Sequence, residues 1–165
     1  MAFIRQAGVV AVLVTLTLSF QGAGMAALIL WVRAHFARAN FRVGLVRSGV
    51  LLVRLTSVIF GLHMLEILLW AGFYRWNCFP SWESAFYFST TSYSTVGYGD
   101  LVLPRMWRIL GPVEAVTGVL MCGLSVSLLF AIVAFLVQRE EGFPPELARP
   151  VAGPASTPAQ SNTSG

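Results

Sequence analysis

The sequence predicts an all-α membrane protein with three spanning helices and one helix of half that length. Two observations lead there. Of 165 residues, 56% are hydrophobic and 11% charged, where an ordinary soluble domain carries about 25% charged. Eleven basic and seven acidic side chains cannot coat a water-facing surface of this size. The apolar residues also gather into three long runs, and a bilayer crossing takes about 20 such residues. The same composition excludes a largely disordered chain. Two cysteines, Cys78 and Cys122, are too few for a disulfide framework.

The first run, Gly8 to Val32, has 25 residues and no charge. A secretory signal core has about 7–15. This run passes through Gln21-Gly-Ala-Gly into a second apolar block, so it reads as a retained helix. Arg33 to Arg54 follows, with Arg33, Arg38, Arg42, Arg47 and Arg54 and no acid. A voltage sensor needs arginines at regular spacing inside a spanning helix. The spacings here are 5, 4, 5 and 7, mostly outside the apolar runs, so the stretch reads as an interfacial loop or short surface helix. Wedged between two membrane segments, it offers nothing to nucleic acid. Arginines at membrane ends mark the cytoplasmic side.

Leu55 to Tyr74 is a second span of 20 residues, interrupted by His63 and Glu66. Trp70, Phe73 and Tyr74 close it as an aromatic belt. Pro80 marks a turn. Ser81 is a plausible N-cap, and Glu83 suits the positive end of a helix dipole. The helix expected from Trp82 to Ser94 has 13 residues, too few to cross about 30 Å of hydrocarbon. Thr95-Val-Gly-Tyr-Gly-Asp100 follows directly, then a polar stretch to Gly111. Ala115 to Val137 is the third span, 23 residues without a charge. Pro112 either starts this helix or kinks one that began near Trp107. Residues 140–165 include five prolines and read as a disordered cytoplasmic tail, too slight for a ligand-binding domain. In such a tail the Asn162-Thr-Ser pattern is not a glycosylation site. The chain thus divides into 1–47, an extra helix and basic linker; 48–139, a membrane module; and 140–165, the tail.

A short helix followed by Thr95-Val-Gly-Tyr-Gly99, set between two spans, resembles the pore module of the potassium channel family. The likeness is to small bacterial channels with one pore loop per subunit, and it runs from His63 through Val133. It implies a re-entrant pore helix, an extended selectivity filter and a homotetrameric pore in a lipid bilayer. K+ would bind the carbonyls of Thr95, Val96, Gly97 and Tyr98, with the Thr95 hydroxyl as innermost ring. Gly97 and Gly99 can take the positive φ values that such a loop requires. Val96 and Tyr98 would pack behind it. The function implied is passive, selective K+ permeation, with no cofactor and no enzymatic chemistry. The rival readings are a nonconducting accessory subunit and a pore-loop subunit of a potassium transport complex.

In the family Asp100 is held by a partner on the pore helix. The matching positions are read here as Phe88 and Thr91; Phe88 cannot donate, so Tyr87 or Arg108 is the expected substitute. His63 and Glu66, at i and i+3, share a helix face. Glu66 lies roughly 18 Å along the helix from Arg54. An acid at that depth faces protein. It reads either as a pH-sensitive strut against pore-helix hydroxyls or as a static structural pair. Gly118 and Gly123 match the inner-helix glycines of the family, of which the first is a candidate gating hinge. Close helix packing is the alternative for both, and the favoured one for Gly123. Cys78 is expected as a free thiol in the outer turret, with a cross-link between subunits as the alternative. Cys122 is expected to be buried and inert. A pore loop of this family enters from outside, which puts the N-terminus outside and the C-terminus in the cytoplasm of a plasma-membrane protein. The arginines agree: seven inside, four outside.

Overall fold

The computed structural model describes residues 2–37 and 45–140. The described residues form four α-helices and no strand: α1 (Ala2–Ala37), α2 (Leu45–Asn77), α3 (Trp82–Tyr93) and α4 (Leu110–Glu140). A 3-10 turn, Arg105–Trp107, precedes α4. Three stretches are long and apolar enough to cross a membrane: Ile4–Ala34, Ser48–Asn77 and Arg105–Phe135.

Helices α1 and α2 outrun the apolar segments that predict them. Arg33 lies inside α1, and Leu45 to Arg54 opens α2, so much of the basic stretch is helix rather than loop. Arginine is a good helix former whose aliphatic stem can lie along apolar surface. A helix can therefore run on past the hydrocarbon edge. Arg38 and Arg42 lie outside the described residues, as does 141–165 of the expected tail.

Local chemistry fixes the ends of the shorter elements. Ser81 has extended backbone, and its hydroxyl accepts the Ser84 N–H at 3.1 Å, capping α3 as expected. Pro112 stands in the first turn of α4, where its missing N–H has no intrahelical partner to lose. It starts the helix and does not kink it.

Helices α1 and α4 run one way and α2 the other. At one end Leu13 packs with Trp70, Tyr74, Leu103, Trp107 and Leu110. At the other, Leu28 and Val32 meet Leu51, Leu55 and Ile132. The Arg5 guanidinium lies over the Trp107 ring, 5.1 Å from its centroid. The N-terminus is therefore at the same end as the loop that follows α3. Helix α1 comes so close to α2 that a Cβ on Gly24 would lie 2.6 Å from Leu62.

Polar contacts dock α1 on the rest. Gln21 donates through Nε2 to the Met121 carbonyl (3.2 Å) and the Ser125 hydroxyl (2.8 Å), and Trp70 Nε1 donates to Thr17 (3.0 Å). Contacts of this kind between membrane helices contribute about 0.6 kcal/mol on average, and up to about 1.7. Gln21 is buried, and its two bonds are lost together. Gln21→Leu is expected to lower stability by about 1 kcal/mol, checked by unfolding the purified protein in mixed micelles.

Candidate functional site

The loop after α3 has an unusual backbone. Thr95, Gly97 and Gly99 have φ of 62°, 49° and 80°, while Val96 and Tyr98 between them stay out of the positive region. Glycine takes such values without penalty, but a β-branched residue does not. Thr95 is held there by its surroundings: its N–H donates to Ser92 (2.9 Å), and the Gly97 N–H donates to the Thr91 carbonyl (3.1 Å). The loop thus starts as a tightly wound end of α3 and then unwinds.

Tyr87 supports the far end of the loop. Its ring stacks on Tyr98, with centroids 6.3 Å apart and planes at 14°. Its phenol lies near Asp100; desolvation and then the neighbouring carboxylate raise it above its ordinary range, so it keeps its proton near neutrality. Of the two substitutes expected for the Asp100 partner, Tyr87 is one that the structure places near it. Phe88 instead packs edge-on against Tyr74, 5.1 Å between centroids. Thr91 acts through its backbone on Gly97, and its hydroxyl donates to the Phe88 carbonyl (3.0 Å). Within one chain the packing expected behind Val96 and Tyr98 is missing, apart from Tyr87: Val96 is 52% exposed and Tyr98 72%.

The other face of α3 is buried. Ala85, Ser89 and Tyr93 recur every fourth residue and turn inward together. Two carboxylic acids meet them. Glu66, on α2, is fully buried, and its Oε2 accepts from the Tyr93 hydroxyl. His63 Nδ1 lies 2.8 Å from that hydroxyl and 3.4 Å from Glu66 Oε2. Glu66 and His63 therefore sit together, against a hydroxyl two residues before Thr95. Glu114, on α4, is equally buried. It lies 2.7 Å from the Tyr74 hydroxyl and 2.5 Å from that of Ser89, which also reaches the Ile67 carbonyl at 2.9 Å.

Glu114, Ser89 and Tyr93 are the residues that sequence reasoning misses. Glu114 sits one place before an uncharged run and two after a proline, where an acid looks like an ordinary solvated residue of a helix start. The available signal is the four-residue spacing of Ala85, Ser89 and Tyr93, which marks the face of α3 turned to other helices.

Of the two glycines, Gly118 faces α3: a Cβ there would lie 2.2 Å from the Tyr93 carbonyl oxygen. Gly123 has nothing within 4 Å, so the packing expected for it is not found within the chain. Cys122 is exposed within the chain rather than buried, although it follows Gly118 by four residues on the face of α4 that meets α3. Cys78 is a free, half-buried thiol, and burial pushes it up to about 11. From an ordinary 9.0, that leaves about a hundredfold less thiolate near neutrality. Only the thiolate reacts. In a Cys122→Ser background, alkylation of Cys78 is expected to be about a hundredfold slower than that of a free thiol of ordinary acidity, with the rate climbing toward pH 11. Mass spectrometry of the labelled protein checks this.

Two helices of membrane-crossing length thus have a short helix and an irregular loop packed between them. Residues 62–135, under half of the chain, match a family model described as ion channel. The match supports an ion-channel pore-loop family for this segment, and ion-channel rather than enzymatic activity. No curated protein and no solved structure matches the chain.

Proposed function

We propose that the protein is a potassium-selective channel, a homotetramer in which Thr95 to Gly99 of each chain supplies one quarter of the filter. The observation that carries this reading is the alternation of φ along Thr95-Val-Gly-Tyr-Gly at the end of a half-length helix. In a flat strand successive carbonyls point to opposite sides. Alternating the hand of successive residues turns them to one side, where they can replace the hydration shell of K+. Irregular backbone is tolerated at membrane depth where it lines a cavity. One loop per chain cannot encircle an ion, so the ring needs several copies, and the resemblance to potassium-channel pores implies four. The exposed Val96 and Tyr98 then have somewhere to pack, against the neighbouring copy. Tyr87 and Asp100 brace the outer end of each loop, and Glu66 with His63 braces the helix behind it. Gly118 sits where the inner helix crosses the end of α3.

The excess of arginine in the stretch from Arg33 to Arg54 supports a plasma-membrane protein with that stretch in the cytoplasm. The N-terminus and the outer mouth of the pore then share the opposite side. Reconstitution in liposomes tests the reading. Potassium flux blocked by barium, with sodium excluded, is the expected result. Equal flux of sodium and potassium, or none without a second protein, overturns it; the last outcome is that of an accessory subunit.

A further inference from the structure

The buried acid of α4 has a protonation state that can be counted from its contacts. Three contacts between oxygens join Glu114 to its neighbours: Tyr74 Oη to Glu114 Oε2 (2.7 Å), Ser89 Oγ to Glu114 Oε1 (2.5 Å) and Ser89 Oγ to the Ile67 carbonyl (2.9 Å). Each needs one hydrogen between its oxygens. The Tyr74 hydroxyl brings one and the Ser89 hydroxyl brings one; a carbonyl brings none. If Glu114 were ionised, two hydrogens would serve three contacts. Ser89 would then face either the carboxylate at 2.5 Å or the Ile67 carbonyl with no hydrogen between them, and both Ser89 and Glu114 are fully buried. Among the described residues no cation bridges Glu114 to offset a charge.

We propose that Glu114 carries its proton in the folded protein and, as a neutral acid, is the positioning residue that fixes α3 between α2 and α4. The hydrogens then run in one direction. Glu114 Oε1–H donates to Ser89, Ser89 donates to the Ile67 carbonyl, and Tyr74 donates to Glu114 Oε2. All three contacts are filled, and one chain of bonds crosses three helices. Ser89 lies six residues before Thr95 on the same element, so the chain sets the height and rotation of the helix that carries the loop.

At Glu66 the count differs, because one N–H can serve two contacts: His63 Nδ1–H points to the Tyr93 hydroxyl (2.8 Å) with Glu66 Oε2 as a longer second acceptor (3.4 Å), and the Tyr93 hydroxyl donates to Glu66 Oε2. The ionisable groups set against Glu114 are Tyr74 on α2 and, more remotely, Tyr93 on α3. The two acids of this core thus have different duties, one as a donor and one as an acceptor.

Infrared spectroscopy of the full chain in detergent, near neutral pH, tests the assignment. The expected result is a carbonyl stretch of a protonated carboxylic acid that vanishes in Glu114→Gln. In Tyr74→Phe the same band moves to higher frequency, because its carbonyl oxygen loses a donor. The amide of Glu114→Gln can donate to Ser89 and accept from Tyr74, so this variant keeps the native melting temperature, whereas Glu114→Ala does not. A native protein without the band, or a band that neither substitution alters, overturns the proposal. So does a Glu114→Gln protein as unstable as Glu114→Ala. None of these readouts depends on which ion crosses, so this test and the flux assay fail separately.

Discussion

Gly118→Ala is expected to destabilise the protein by several kcal/mol and to abolish its ion flux. The added methyl would sit 2.2 Å from the Tyr93 carbonyl oxygen and 3.0 Å from its carbon. Both atoms are backbone at the C-terminal turn of α3, so no side-chain rotation relieves the clash. Either α4 moves away from α3 or the helix end moves with the loop attached to it. Overpacking usually costs about 1–3 kcal/mol, and more where backbone must shift. The sign of the effect separates packing from a bare hinge. Within an open stretch of helix, alanine is better than glycine by about 1 kcal/mol. A glycine kept for flexibility alone would therefore be stabilised by the change. Gly123→Ala is the internal control: with nothing within 4 Å it is expected to leave stability equal or higher. Unfolding of both variants in mixed micelles, alongside liposome flux, checks this. A Gly118→Ala protein as stable as the native one would show that the contact does not hold in the membrane.

The fold and the site were legible in the sequence to different degrees, for physical reasons. Spans are legible because a bilayer imposes one length and one solvent; Gly8 to Val32 and Ala115 to Val137 could hardly be anything else. The ends of α1 and α2 were not, since arginine is a good helix former that also belongs at the interface. The half-length α3 was legible through its cap and its length. The support of the loop was only partly so. Tyr87 was one of two options for Asp100, and its stacking on Tyr98 was not foreseen. The buried side of α3 was the least legible. Its polar residues pair with acids 27 and 25 positions away, Tyr93 with Glu66 and Ser89 with Glu114. Nothing local reports such distances. Cys122 shows the same limit: its chemistry suggested the interior, yet it is exposed in the chain although it follows Gly118 by four residues.

The second large effect is expected at Gly97. Its φ of 49° lies in the left-handed region, where a Cβ crowds the backbone by about 1–2 kcal/mol. No atom stands within 4 Å of that Cβ within the chain, so Gly97→Ala leaves the helices and their contacts intact. The strain falls on the loop alone, and a pore of four chains meets it four times, roughly 4–8 kcal/mol in all. That is enough to depopulate the alternating backbone by more than about a hundredfold and replace it with one whose carbonyls no longer share a side. The Gly97 N–H bond to the Thr91 carbonyl resists the change but joins only one side of the residue. The variant is therefore expected to melt like the native protein and to keep its helix content, yet to lose barium-sensitive potassium flux to below roughly a hundredth. Gly118→Ala loses flux with stability, and Gly97→Ala loses flux without it. That contrast places the chemistry in the loop and the scaffold behind it. Native flux from Gly97→Ala would mean that the ion takes another path, and the role assigned to Thr95 through Gly99 would have to be abandoned.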